Sequence, residues 1–258
     1  MPDLRRFIRL FRRFVGKMID RRRIGRKVRS MKAQRFLLTV SAILGFALGM
    51  ARGVECFDHT VRVDIFSGMN GDAVAMNRAL DKIEATLAAE PKHAEAIVWR
   101  GAAVFFQSGQ AFQNQDSQKG MELYMRAMAD FDQAGKLAPD SLGVLIPRAA
   151  VLMSAALQAK GTPITKQWVT TALADYERVR EMQKDTFAGL SQHSRGELLQ
   201  GLANGYRLLG DEAKANLYFE RIQKEMPSTP YAKRAAIWFE TKTLTPAQSS
   251  CIGCHTGQ

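Results

Sequence analysis

Between residues 72 and 241 the apolar positions recur every three or four residues and almost nowhere alternate. That period predicts amphipathic helices and no β-sheet, so the expected fold class is all-α. The clearest stretch holds Leu199, Leu202, Ala203, Tyr206, Gly210, Ala215, Phe219, Ile222 and Pro227. It reads as two antiparallel helices. Ala203 and Ala215 let the backbones approach, while Tyr206 and Phe219 fill the space beside them. Gly210 and Asp211 supply a turn and the start of the second helix, and Pro227 ends it.

The second-helix signature returns at Ala127, Phe131, Ala134 and Pro139 with the same spacing. Weaker copies stand at Ala79, Ile83, Thr86 and Pro91, and at Ala172, Tyr176 and Val179, and Gly101 occupies the small first-helix position of the second unit. These offsets resemble the tetratricopeptide (TPR) repeat. The resemblance implies a TPR-like antiparallel helix-pair solenoid over residues 72–241, with a concave surface that docks a protein partner. The alternative is a compact scaffold with no docking role. Pro91 to Pro139 spans 48 residues and Pro139 to Pro227 spans 88, against about 34 for one TPR unit. The extra length is expected in loops at Ser108–Gln118, Lys160–Thr165 and Gln183–Ser191. No catalytic constellation stands out, so the chain is not read as an enzyme. The acid pairs Asp130/Asp132 and Asp211/Glu212 read as solvated helix positions and caps.

Ahead of this body lies Phe36–Met50, fifteen uncharged residues. A membrane span needs about 20 such residues, whereas the core of a secretory signal needs about 7–15. Met31–Arg35 supplies a short basic flank, and Ala51-Arg52-Gly53 supplies small residues for cleavage after Gly53. Residues 31–53 therefore read as a complete signal within a basic leader of residues 1–53. Residues 1–30 are then either a cytoplasmic arm or sequence upstream of the functional start. An uncleaved anchor is the competing reading, with membrane contact through the N-terminal segment. Either way the rest of the chain is exported, to the periplasm or the periplasmic face of the inner membrane. Residues 54–71 form an N-terminal extension of the mature chain.

Charge supports this division. Of 37 Lys and Arg, 14 lie within residues 1–35 beside only Asp3 and Asp20, which accounts for the whole net charge of +12. The remainder balances 23 bases with 23 acids. A phosphate-binding face would be built into the fold, so no nucleic-acid partner is expected.

The three cysteines are Cys56, Cys251 and Cys254, and the last two sit in Cys251-Ile252-Gly253-Cys254-His255. Two thiols three residues apart reach two vinyl groups on one porphyrin edge, and the next histidine falls beneath the iron. This motif resembles c-type cytochromes over these five residues. The resemblance implies one covalent haem c, with Cys251 and Cys254 carrying the thioether bonds and His255 as proximal iron ligand. A Cys251–Cys254 disulfide, a redox pair and a zinc site are the alternatives. For the sixth ligand, His59, His93, His193 and the methionines stay open; Met121, Met125 and Met128 line either a haem edge or a packed helix face. Thr241–Ser250 is polar and reads as a tether, so residues 242–258 form a short C-terminal haem-binding tail, with Thr245-Pro246 able to open a short helix. Cys56 is left unpaired, free or joined to another chain. The expected function is one-electron transfer by an exported mono-haem cytochrome subunit in a membrane-associated redox complex. A gas- or redox-sensing protein of the c-prime type and a haem-free scaffold or assembly factor are the alternatives.

Overall fold

The computed structural model describes residues 56–159 and 162–243. Within them the chain is entirely helical, with no strand. The helices are α1 (Phe57–Met69), α2 (Ala73–Ala89), α3 (Ala94–Gln113), α4 (Ser117–Leu137), α5 (Leu142–Gln158), α6 (Pro163–Gln183), α7 (Gln192–Leu208), α8 (Glu212–Glu225) and α9 (Pro230–Thr241). Their starts are written in the chain. Asp72, Asp116 and Asp211 each accept a hydrogen bond from the backbone N–H three residues on, at 2.9, 3.1 and 3.1 Å, which satisfies one of the donors every helix leaves free. Ser191 and Thr229 do the same for α7 and α9. Pro163 and Pro230 open α6 and α9, where no backbone donor is needed.

Consecutive helices fold back on one another as α1/α2, α3/α4, α5/α6 and α7/α8, with α9 packed against α8. The second helix of one pair also meets the first of the next, most fully at α2/α3 and α6/α7, and first helices touch across neighbouring pairs. One apolar core runs through all of them, from Val61 and Ile65 through Phe131 and Leu152 to Phe219 and Trp238.

Two expectations need correcting. The segment expected as an extension, residues 54–71, contains α1, whose Val61 and Ile65 are fully buried. Its Gly68 lies under Met76, where a β-carbon would come within 2.7 Å of the Met76 Cβ. The helical body therefore starts at Phe57, because α2 needs a partner for its own apolar stripe.

In the second helix pair the extra repeat length lies in helix, not in the expected loop. Gly101 precedes the end of α3 by twelve residues and Ala203 precedes the end of α7 by five. Ala127 follows the start of α4 by ten residues and Ala215 follows the start of α8 by three. Both connections, Asn114–Asp116 and Leu209–Asp211, are three residues long. Between its marker residue and the connection, each helix of the second pair is thus seven residues longer. Seven residues are two turns at about 3.6 per turn, so the extension adds length without rotating the buried stripe. Of the segments expected as loops, Gln183–Ser191 is a connection carrying a single 3₁₀ turn at Phe187–Gly189.

The turn between α7 and α8 is as expected. Gly210 has φ +86° and Asp211 caps α8. Nothing lies within 4 Å of the position a Gly210 β-carbon would take, so Gly210→Ala meets backbone strain and no clash. We expect it to cost about 1–2 kcal/mol, read as a lower urea midpoint with an unchanged slope.

Candidate functional site

In the second and third helix pairs the small and aromatic positions are each preceded by a charge. Arg100 precedes Gly101 and Arg148 precedes Ala149, while Asp130 precedes Phe131 and Asp175 precedes Tyr176. Because the paired helices run antiparallel, each arginine faces the aspartate of its own pair. Arg100 donates from Nε and Nη2 to the two Asp130 oxygens at 2.9 and 2.7 Å. Arg148 donates the same way to Asp175 at 2.8 and 2.7 Å. In the first pair the charges are exchanged: Asp64, ahead of Ile65, meets Lys82, ahead of Ile83, at 2.9 Å. Asp130 is therefore buried and fork-bonded, not solvated as its sequence context suggests; Asp132 is exposed beside Lys136.

The same charges reach across to the neighbouring pair. Arg148 Nη1 donates to the Phe131 carbonyl at 2.8 Å, and Arg100 Nη1 lies 3.7 Å from Glu84. At the next junction Glu177 accepts from the hydroxyls of Tyr206 at 2.8 Å and Tyr218 at 3.3 Å and pairs with Arg180 at 2.7 Å. The two tyrosine rings stack 5.8 Å apart, with Lys214 over Tyr206. Burial pushes the Asp175 carboxyl above its usual range, and Arg148 pulls it back only in part. These partners are mutually satisfied, so they hold the helices together and offer no reactive group.

Burial, followed by the Glu177 carboxylate, pushes the Tyr206 hydroxyl far above the ordinary tyrosine value. The folded chain thus keeps a proton that the unfolded chain loses near pH 10, and stability falls as pH rises through that value. In a difference absorbance titration of wild type against Tyr206→Phe, the missing phenolate signal should fall well above pH 10; Glu177→Gln should bring its onset lower.

The expected haem residues Cys251, Cys254 and His255 lie outside the described residues, as do Thr245 and Pro246. His59 is exposed. His93 and His193 are half-buried and engaged: His93 Nδ1 accepts from the Ala96 N–H at 3.1 Å, and His193 Nδ1 is 3.0 Å from the Tyr231 hydroxyl, which donates to Glu197 at 2.7 Å. Of the methionine stripe, Met128 packs on the core whereas Met121 and Met125 are exposed. Cys56 is exposed and free at the start of α1. Among the described residues no group of three or more His, Cys, Asp or Glu side chains is placed to hold a metal, and no helix is long and apolar enough to cross a membrane.

At the C-terminal end of α9 the structure gathers residues that no spacing rule had singled out. Trp238 donates from Nε1 to Asn216 at 2.8 Å and stacks 5.6 Å from Phe219. The Arg207 guanidinium carbon lies 5.5 Å from the Trp238 ring centre and Lys242 Nζ lies 5.1 Å from it. Lys242 also pairs with Glu212 at 2.7 Å. No protein-family model, curated protein or solved structure matches the chain.

Proposed function

We propose that this chain is an exported mono-haem c-type cytochrome subunit whose TPR-like body docks a protein partner and whose tail passes single electrons within a membrane-associated redox complex. The observation that carries the reading is Cys251-Ile252-Gly253-Cys254-His255, downstream of an apolar signal-length segment. Cys251 and Cys254 would hold the haem and His255 would bind its iron. Bound haem supplies the one-electron couple of the iron. The chain supplies attachment, placement and a docking surface.

Four antiparallel helix pairs, Gly101 set against Phe131 in the second pair and a charge position recurring in the first three pairs support the TPR-like reading. Two turns added to α3 and α4 lengthen one unit while keeping its register. That extension carries the exposed Phe112 and Met121, and beside it lie the exposed Met125 and the Phe105 and Tyr124 rings, with Trp168 of α6 packed on Phe105 at 5.4 Å. It is the apolar face we assign to partner contact.

A reduced pyridine haemochrome spectrum tests the function, on protein from a host competent in c-type maturation. We expect a c-type band at about one haem per chain, lost in the Cys251→Ala/Cys254→Ala variant. A haem-free wild-type chain would leave an exported helical scaffold and remove electron transfer.

A further inference from the structure

Five asparagines occur in the chain, and two of them, Asn70 and Asn204, precede a glycine. That dipeptide carries its own chemistry. A glycine has no Cβ to keep its backbone nitrogen away from the preceding side chain, so the nitrogen can reach the asparagine carboxamide. Asn77, Asn114 and Asn216 are followed by Arg78, Gln115 and Leu217, whose side chains stand in the way. The sequence treats Asn70 and Asn204 alike. The fold does not.

Asn204 lies inside α7, 7% exposed, and its Oδ1 accepts from Gln200 Nε2 at 3.3 Å. Gly205 is buried too, against Leu173. The helix fixes this backbone, and close packing leaves the carboxamide no room to turn onto it. Asn70 and Gly71 are instead exposed in the connection between α1 and α2. The Asn70 carboxamide makes no hydrogen bond among the described residues. Gly71 has φ +106°, with nothing within 4 Å of the position a β-carbon would take. Three backbone donors hold the turn: Asn70 to the Phe66 carbonyl at 3.1 Å, Gly71 to Gly68 at 3.0 Å and Asp72 to Ser67 at 3.0 Å. Opening the Gly71 bond frees the nitrogen without unfolding the core, since exposed turns open locally.

We infer that Asn70 is a spontaneous modification site, at which the turn deamidates and its isoaspartyl product loosens α1 from the helical body. The Gly71 nitrogen bonds to Asn70 Cγ and closes a five-membered imide. The Cγ–Nδ2 bond breaks, and Nδ2 leaves as ammonia with the Gly71 amide proton. Water then opens the ring. Attack at Cγ gives aspartate. Attack at the Asn70 carbonyl carbon gives isoaspartate, in which Cβ has entered the main chain. Both products place a carboxylate at the negative end of the α1 dipole. The isoaspartyl form also lengthens a three-residue connection that has no slack, because Gly68 lies under Met76 and Asp72 caps α2. The bond from Asp72 to Ser67 is lost, and with it the register that seats Val61 and Ile65 in the core.

The test uses the full chain, as wild type and as Asn70→Gln, whose longer side chain cannot close a five-membered ring. Both are aged at mildly alkaline pH and body temperature after circular dichroism has shown them folded. The tryptic peptides of residues 63–78 and 196–207 are sequenced by mass spectrometry for a gain of one mass unit, and isoaspartate is counted by enzymatic methylation. We expect Asn70 to convert at least tenfold faster than Asn204 in the folded chain, and within a few-fold of it in urea, where both backbones are free. Limited trypsin cleavage after Arg62 should run at least threefold faster in aged than in fresh wild type, and ageing should leave it unchanged in Asn70→Gln. Asn70 as inert as Asn204 in the folded chain would overturn the site. Equal conversion of both in the folded chain would overturn it too, because global unfolding and not the turn would then set the rate. Conversion with unchanged cleavage after Arg62 would overturn the loosening of α1.

Discussion

In urea unfolding at pH 7, Arg148→Leu is expected to lose about 3–5 kcal/mol relative to wild type, the usual cost of leaving one partner of a buried ion pair behind. Asp175 is the reason. Its side chain is 5% exposed, and both of its oxygens accept from Arg148. Leucine keeps much of the volume of the arginine stem but offers no donor. The loss also takes the bond from Arg148 Nη1 to the Phe131 carbonyl, which joins the third helix pair to the second. The pH dependence has a definite sign. Burial already holds the Asp175 carboxyl above its usual range, and without Arg148 it rises further. The folded variant then binds a proton that the unfolded chain has released. Its stability therefore falls as pH rises from about 4 toward 7, by up to about 1.4 kcal/mol per pH unit. A deficit that stayed the same from pH 4 to pH 7 would mean the pair contributes by packing and not by charge. Arg148→Leu/Asp175→Leu should recover most of the loss, since replacing both partners with apolar groups is often near neutral.

Phe131→Ala is expected to cost about 3–5 kcal/mol as well, through a cavity and not a charge. The ring is 2% exposed and sits over Gly101, where a β-carbon would lie 2.9 Å from its edge. The glycine is thus the socket and the ring fills it. Phe105 is 6.1 Å away, so truncation also loosens the aromatic group at the extended end of α3 and α4. Thermal and urea unfolding measure the loss. Phe131→Leu should cost less, because it leaves a smaller void. Phe131→Ala and Arg148→Leu share the bond at the Phe131 carbonyl, so their combined loss should fall short of the sum.

The candidate site divides in the same way as these two residues. Cys251, Cys254 and His255 form a motif because they stand next to one another in the chain, and they lie outside the described residues. The contact of Arg207 with Trp238 had no such signal, because the two stand on different helices. Asp130 was misread as a solvated position for a related reason: its partner Arg100 is 30 residues away. Nothing local distinguishes a buried paired aspartate from an exposed one.

By itself the sequence determined the helical character and the α7–α8 turn at Gly210 and Asp211. Both depend on side chains within a turn or two of each other, where spacing is geometry. Only the tertiary structure decided that α1 belongs to the body and that Ser108–Gln118 is mostly helix. That segment is polar enough to read as a loop. It stays helical because two turns were added to both members of a pair, so that Phe112 finds Gly120 and each extension packs on the other. Tertiary structure also chose which charges are buried, because burying a charge requires a partner that only the folded chain brings within reach.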